Sequence, residues 1–371
     1  MKKIFLFILL FLFVQFTNSQ ELALVRKNGK FGYISKTGEF IIQPIYKTAK
    51  NFSDGLAAAE VNGKWGFINS KGEWEIPATF DDAKYFDSGI CVVAKDKKWF
   101  YINKKGETVT APNSDKVYDF ENGIAFIKQR DKVGLINAKM DVVLIPKYDV
   151  IKSFENGFAR VRNNDFWGII DISGKETIEV IYDEIGNYNM NSTWAKKGSN
   201  FGLIIEGKFK VIEGVDKIWD FFQNDITYAR KKDKIGFIDS NGNWVIQPKF
   251  EKAKSFVKNL APVQLNEKWG FVNRKGEIAI EFIYNDAEVF NVDGLAPVKA
   301  ENWGFINETG KLIIPTKYEI TAGGFSMFKF EEKGFINGLA RVKNEKKWGF
   351  LKTDGQVLGN QWFDNAEPFF K

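Results

Sequence analysis

Histidine is absent from all 371 residues of this chain, and cysteine occurs once, at Cys91. Without an imidazole there is no Ser-His or Cys-His nucleophile pair, no zinc site of the usual His-containing kinds, and no access to the commonest general base. A single thiol excludes an intrachain disulfide, so packing alone has to hold the fold. Cys91 lies in an apolar run and reads as a buried, inert thiol. Every Gly-Lys pair lacks the Ser or Thr that completes a phosphate loop, and no Gly-x-Ser-x-Gly elbow occurs. The expectation is a protein that is not an enzyme and carries neither cofactor nor metal.

Charge of one sign is also scarce. The formal net charge is +6, of which Lys2 and Lys3 supply two, and the remainder is spread evenly along the chain. That pattern lacks the clustered basic footprint of a nucleic-acid binder. Beyond the first twenty residues no apolar run approaches the ~20 residues of a membrane-spanning helix. The start itself, "MKKIFLFILLFLFVQFTNSQ", has a basic opening, an apolar run from Ile4 to Val14 and small residues at Thr17 and Ser19. This is the layout of a secretory signal peptide over residues 1–19. The expected mature chain is exported (periplasmic, cell-surface or secreted) with no membrane span.

Large rings are plentiful: 36 Phe, 11 Trp and 11 Tyr bring the aromatic share to 16%. Their placement is periodic. Gly32, Gly66, Phe100, Gly134, Gly168, Gly202, Gly236, Gly270 and Gly304 fall at intervals of 34, and Gly349 follows after 45. The residue ahead is large or branched and apolar each time, most often Trp, as in Trp65, Trp167, Trp269 and Trp303. Ten units of 34 residues and one insertion of 11, Thr321 to Glu331, fill residues 21–371 and leave no room for a separate catalytic domain. Each unit reads as three strand-length apolar runs bounded by Gly, Asn, Asp or Pro, too short for a helical repeat. The second run carries the Trp-Gly pair and ends in a tight turn such as "NSKG" at Asn69–Gly72. The third run ends in an aromatic column that includes Tyr46, Phe80, Tyr148 and Phe250, and a further ring such as Phe52 or Phe86 closes the unit. Ordering one unit costs roughly 1 to 2 kcal/mol per residue, far more than its few ring burials return, so a unit folds only against neighbours.

Stretches such as "NGKWGFINSKGEW" and "EKWGFVNRKGEIAI" resemble the WG-containing repeat family of bacterial proteins, and the likeness runs from Glu21 to the end. The resemblance implies an all-β repeat array and transfers no catalytic motif. Phe100 in the Gly column and Ser114 and Asp216 in the aromatic column depart from the pattern.

The expected fold is all-β, about ten tandem three-stranded units in an open β-solenoid or superhelical array, with a closed β-propeller-like ring as the alternative. Ten units exceed the usual ~4 to 8 blades, and blades normally have four strands. The units also begin and end in phase, which favours the open form. Pro262 and Pro297 in the first run suggest an edge strand. The expected function is a non-enzymatic repeat scaffold for protein–protein interaction at or outside the cell envelope; the alternative is a carbohydrate or cell-wall binding module. For a protein partner, the candidate residues are Phe325, Met327, Phe328 and Phe330 on the insertion. For a polysaccharide, Trp74 and Trp244 are the candidate stacking rings, set against their mostly apolar column, which reads as core.

Overall fold

The computed structural model describes residues 21–189, 191–221, 225–319 and 333–370. Among the described residues, ten small antiparallel sheets follow one another along the chain as ten blades, eight of them four-stranded and two three-stranded. Blade 2 illustrates the design, with a lead strand Ala49–Ser53, a second strand Leu56–Val61, a third Lys64–Ile68 and a fourth Trp74–Phe80. Asn62 and Gly63, at φ 52° and 75°, make the two-residue turn between second and third strands. Positive φ at both positions is the geometry that twists with the flanking strands. At the next turn the Gly72 amide donates to the Asn69 carbonyl at 2.9 Å, and the Asn69 side chain accepts from the Lys71 and Glu73 amides.

The Trp-Gly pair has a specific steric task. Trp65 pairs with Phe80 and Phe67 pairs with Ile76, so Pro77, Ala78 and Thr79 all lie opposite Gly66. A Cβ on Gly66 would sit 2.5 Å from the Ile76 carbonyl oxygen and 2.6 Å from the Ala78 nitrogen. The missing side chain is what admits this wide bulge in the fourth strand. Gly32, Gly168, Gly270 and Gly304 face the same bulge.

Burial lies between blades rather than within them. Phe67, Ile76 and Phe80 of blade 2 share one apolar cluster with Ala83, Phe86, Cys91, Val93 and Ile102, which lead into or belong to blade 3. Edge-to-face ring pairs recur at these junctions: Tyr33 on Phe52, Phe67 on Phe86, Phe237 on Phe256 and Phe305 on Phe335, all with centroids 4.7 to 4.8 Å apart. Such pairs add about 0.5 to 1.5 kcal/mol beyond the area they bury.

The array is closed, so of the two expected arrangements the propeller is the one found. Asn365–Phe370 pairs with Leu22–Lys27 and supplies the lead strand of blade 1. Phe350, Leu358 and Phe363 of blade 10 pack with Ala23, Val25 and Ile34 of blade 1. The fourth strand that the sequence pattern lacked is the lead strand, often only two residues long, as at Asp82–Ala83 and Val150–Ile151. Every sequence unit but the third donates it to the next blade, so units that are in phase along the chain are offset by one strand in space. Pro262 and Pro297 occupy second strands rather than edges. Each stands where the lead strand has run out, its carbonyl accepting the Lys254 or Glu288 amide.

Candidate functional site

Blade 3 carries Phe100 where other blades carry Gly, and the fourth strand responds. Its ladder runs only through Ile102–Thr108 and Tyr101–Val109 and then stops, because the Phe100 side chain fills the room the bulge would take. That ring packs instead against Phe80, 6.3 Å away between centroids. The chain then detours. Ser114, in the aromatic column, takes the Lys128 amide on its hydroxyl at 2.9 Å, and the Asp115 amide donates to the Lys128 carbonyl at 2.7 Å. Tyr118 should next bond Phe126, as Lys84 bonds Val92 one blade earlier at 2.8 Å. Its amide donates instead to the Tyr101 hydroxyl, which donates back to the Tyr118 carbonyl at 2.8 Å. No lead strand forms, blade 4 is three-stranded, and a cleft of about 740 Å³ opens between blades 3 and 4.

Rings and both signs of charge line this cleft. Trp99, 41% exposed, lies on one wall with the Lys84 ammonium 5.3 Å from its ring centre. Lys116 covers Tyr118, and Phe126 and Phe154 continue the apolar surface. Two lysines in the Lys84 position reach the next lead strand: Lys50 donates to the Ala83 carbonyl at 2.5 Å and Lys254 to that of Ala287 at 2.6 Å. Blade 4 offers no lead strand, and the Lys84 ammonium donates to no described residue. Asp119, half-buried on the same cleft, accepts no hydrogen bond from any described residue either. Burial pushes its carboxyl above the ordinary range, against the pull of Lys84, Lys50 and Lys116. Beneath the cleft, burial raises the Tyr101 phenol to about 12 and drives the Cys91 thiol upward as well.

The described sequence candidates, Trp74 and Trp244, do not line this cleft. Trp74 and Trp244 open the fourth strands of blades 2 and 7 and are not brought together. Trp74 is 40% exposed and meets Tyr46 edge-on, whereas Trp244 packs with Leu203 and Ile212 of blade 6. Phe325, Met327, Phe328 and Phe330 lie outside the described residues, as do residues 1–20. Asp119, Lys84 and Trp99 were not singled out from sequence, although Phe100 and Ser114 marked the place.

The sequence model for the WG containing repeat matches eight times, over residues 31–65, 65–99, 99–132, 134–165, 167–201, 235–269, 269–302 and 303–326. The chain belongs to the WG containing repeat family. Residues 202–234, which that model passes over, include blade 6's short fourth strand Lys208–Val211, which pairs with Asn200–Ile205 in plain register without the bulge. Among solved structures, a crystal structure of a eukaryotic initiation factor is similar at 10% identity and a TM-score of 0.52, covering 95% of this chain and 98% of that one. Hsv2p of Kluyveromyces lactis is matched at 8% identity and a TM-score of 0.25 over 70% of this chain and 96% of that one. No curated protein matches. Among the described residues no helix is long and apolar enough to cross a membrane.

Lysines just ahead of the Trp-Gly pair and carboxylates just after the aromatic column form structural stitches in several blades. Lys64, on the third strand of blade 2, meets Asp81 at 2.5 Å, and Asp81 also accepts the Asp96 amide of the blade 3 hairpin at 2.7 Å. The Lys64 ammonium and that amide hold the Asp81 carboxyl below the usual carboxylate range. Asp149 does the same with Lys132 and the Asn164 amide. Asp364 repeats the stitch across the closure, binding Lys347 of blade 10 and the Gly29 amide of blade 1. Where these pairs form, the charges are engaged in holding blades together.

Proposed function

We propose that this WG repeat protein is an exported, non-enzymatic scaffold whose closed ring holds open one binding cleft, between blades 3 and 4, for a partner at or outside the cell envelope. The observation that carries this is the cleft itself. The repeat packs its columns against neighbouring blades, and here Phe100 and Ser114 break that pattern in a way that leaves rings, an ammonium and a carboxylate facing a cavity. Its volume lies within the ~300 to 1,000 Å³ of ordinary ligand sites. A protein partner inserting a side chain is the first reading, in keeping with repeat scaffolds generally. A carbohydrate ligand is the second, favoured by the mixture of exposed ring and unengaged polar groups.

Affinity capture from the native host with the full chain and with Trp99→Ala tests the first reading. The expected result is a partner retained by the parent and lost with the variant at unchanged thermal stability; equal capture by both removes the cleft from the function. Export is tested by fractionating cells that express the full chain and one lacking residues 1–19. A mature amino terminus just after Ser19, outside the cytoplasm, is the expected outcome.

A further inference from the structure

The junction between blades 6 and 7 contains the counterpart of the cleft in a filled state. There the lead segment of blade 7 runs Trp219-Asp220, in register with Tyr118-Asp119, since the Trp219 amide bonds Tyr228 as Lys84 bonds Val92. Asp220 receives the Trp194 indole N–H at 2.6 Å and the Asn187 amide at 3.0 Å. By the same register Trp194 corresponds to Val92, because the Gly186 amide bonds the Trp194 carbonyl as the Lys84 amide bonds that of Val92. One carboxylate position is thus satisfied by a ring-borne donor at one junction and faces Val92 and open volume at the other.

Resting on the reading that the cleft is the binding site, we propose that its ligand is a neutral saccharide, one of whose hydroxyls bridges Lys84 and Asp119 while the sugar's apolar face lies along Trp99. The chemistry selects this class. A hydroxyl accepts from an ammonium and donates to a carboxylate at once, which neither a cation nor an anion does. A ligand cation meets Lys84 and Lys116, and a ligand anion meets Asp115, Asp119 and Glu121, so net charge of either sign is opposed. The C–H face of a pyranose needs a flat exposed ring, and Trp99 offers one. The ligand then supplies both the donor and the volume that Trp194 supplies to Asp220.

The test uses the full chain and isothermal titration with cellobiose, maltose, chitobiose and laminaribiose. Binding of at least one disaccharide is expected, weakened at least tenfold by Asp119→Ala and by Lys84→Ala and abolished by Val92→Trp, which rebuilds the indole of the filled junction. Trp74→Ala leaves it unchanged. Asp119→Ala answers independently of whether Val92→Trp folds. Binding that survives Asp119→Ala and Lys84→Ala, or is lost with Trp74→Ala, overturns the assignment. If no disaccharide binds while Trp99→Ala still loses a captured protein, the saccharide is wrong and the scaffold stands; if neither occurs, both fall.

Discussion

Gly66→Ala isolates the steric role of the Trp-Gly pair. The added methyl carbon would lie 2.5 Å from the Ile76 oxygen and 2.6 Å from the Ala78 nitrogen, where ordinary contacts begin at 3.4 Å. Relief requires the fourth strand's backbone to retreat by most of an ångström, and the strand is pinned on both flanks by the Phe67–Ile76 and Trp65–Phe80 pairs. Overpacking of this kind destabilises by about 1 to 3 kcal/mol, and a backbone obstacle places it toward the upper end. Lower unfolded-state entropy of Ala returns about 0.4 to 1 kcal/mol, leaving a net loss of about 2 kcal/mol. Gly63→Ala is the matched control: φ there is +75° and nothing lies within 4 Å, so its loss is conformational alone, about 1 to 2 kcal/mol at most. Urea unfolding followed by tryptophan fluorescence measures both, as midpoint shifts at unchanged slope. Gly66→Ala as stable as the parent, or less damaging than Gly63→Ala, would refute the bulge as the reason for the glycine.

Three further outcomes are expected. Phe363, 1% exposed in the closing cluster, should lose about 3 to 5 kcal/mol on truncation to Ala, whereas Asp364→Asn, which removes an exposed ion pair, should stay within about 1 kcal/mol by the same unfolding assay. Asp119 holds its proton more tightly folded than unfolded, so its contribution to stability is present below about pH 3.9 and is lost as pH rises through its raised folded value. Asp119→Asn should therefore gain on the parent across that window and hold the gain at neutral pH, with Lys84, Lys50, Lys116 and Tyr101 around it unchanged; a constant difference across a pH series of melts would contradict this. Cys91, 1% exposed with its thiol pushed up by burial, should ignore maleimide in the native protein and react fully in denaturant, as mass spectrometry would record.

Much of the architecture was legible because packing columns repeat. The aromatic column, the Asn-to-Gly turns and the dependence of each unit on its neighbours all follow from residues at fixed spacing, and Phe67 on Phe86 is that dependence made visible. The fourth strand was hidden by scale: at most junctions it is as short as Asp82–Ala83, too short to leave an apolar run of its own. The prolines misled for a related reason, since Pro262 sits beside a lead strand that has already ended. At the cleft, the irregular residues Phe100 and Ser114 stood out, but their effect is a void between elements. Asp119 shares its column with Tyr85, Ser153 and Asn187, and a column with no common chemistry gives no signal.

The donated lead strand also dictates an order of assembly. Blades 2 to 9 can each be completed from nearby chain, but blade 1 waits for a partner made far later: the Gln361 side chain meets the Gly38 carbonyl across 323 residues. Until that latch arrives, the first blade shows a bare edge along Leu22–Lys27, and the last blade has no neighbour for Phe350 and Phe363. A chain stalled during synthesis would thus resemble an unbuckled belt, sticky at both ends and prone to fasten onto another copy of itself.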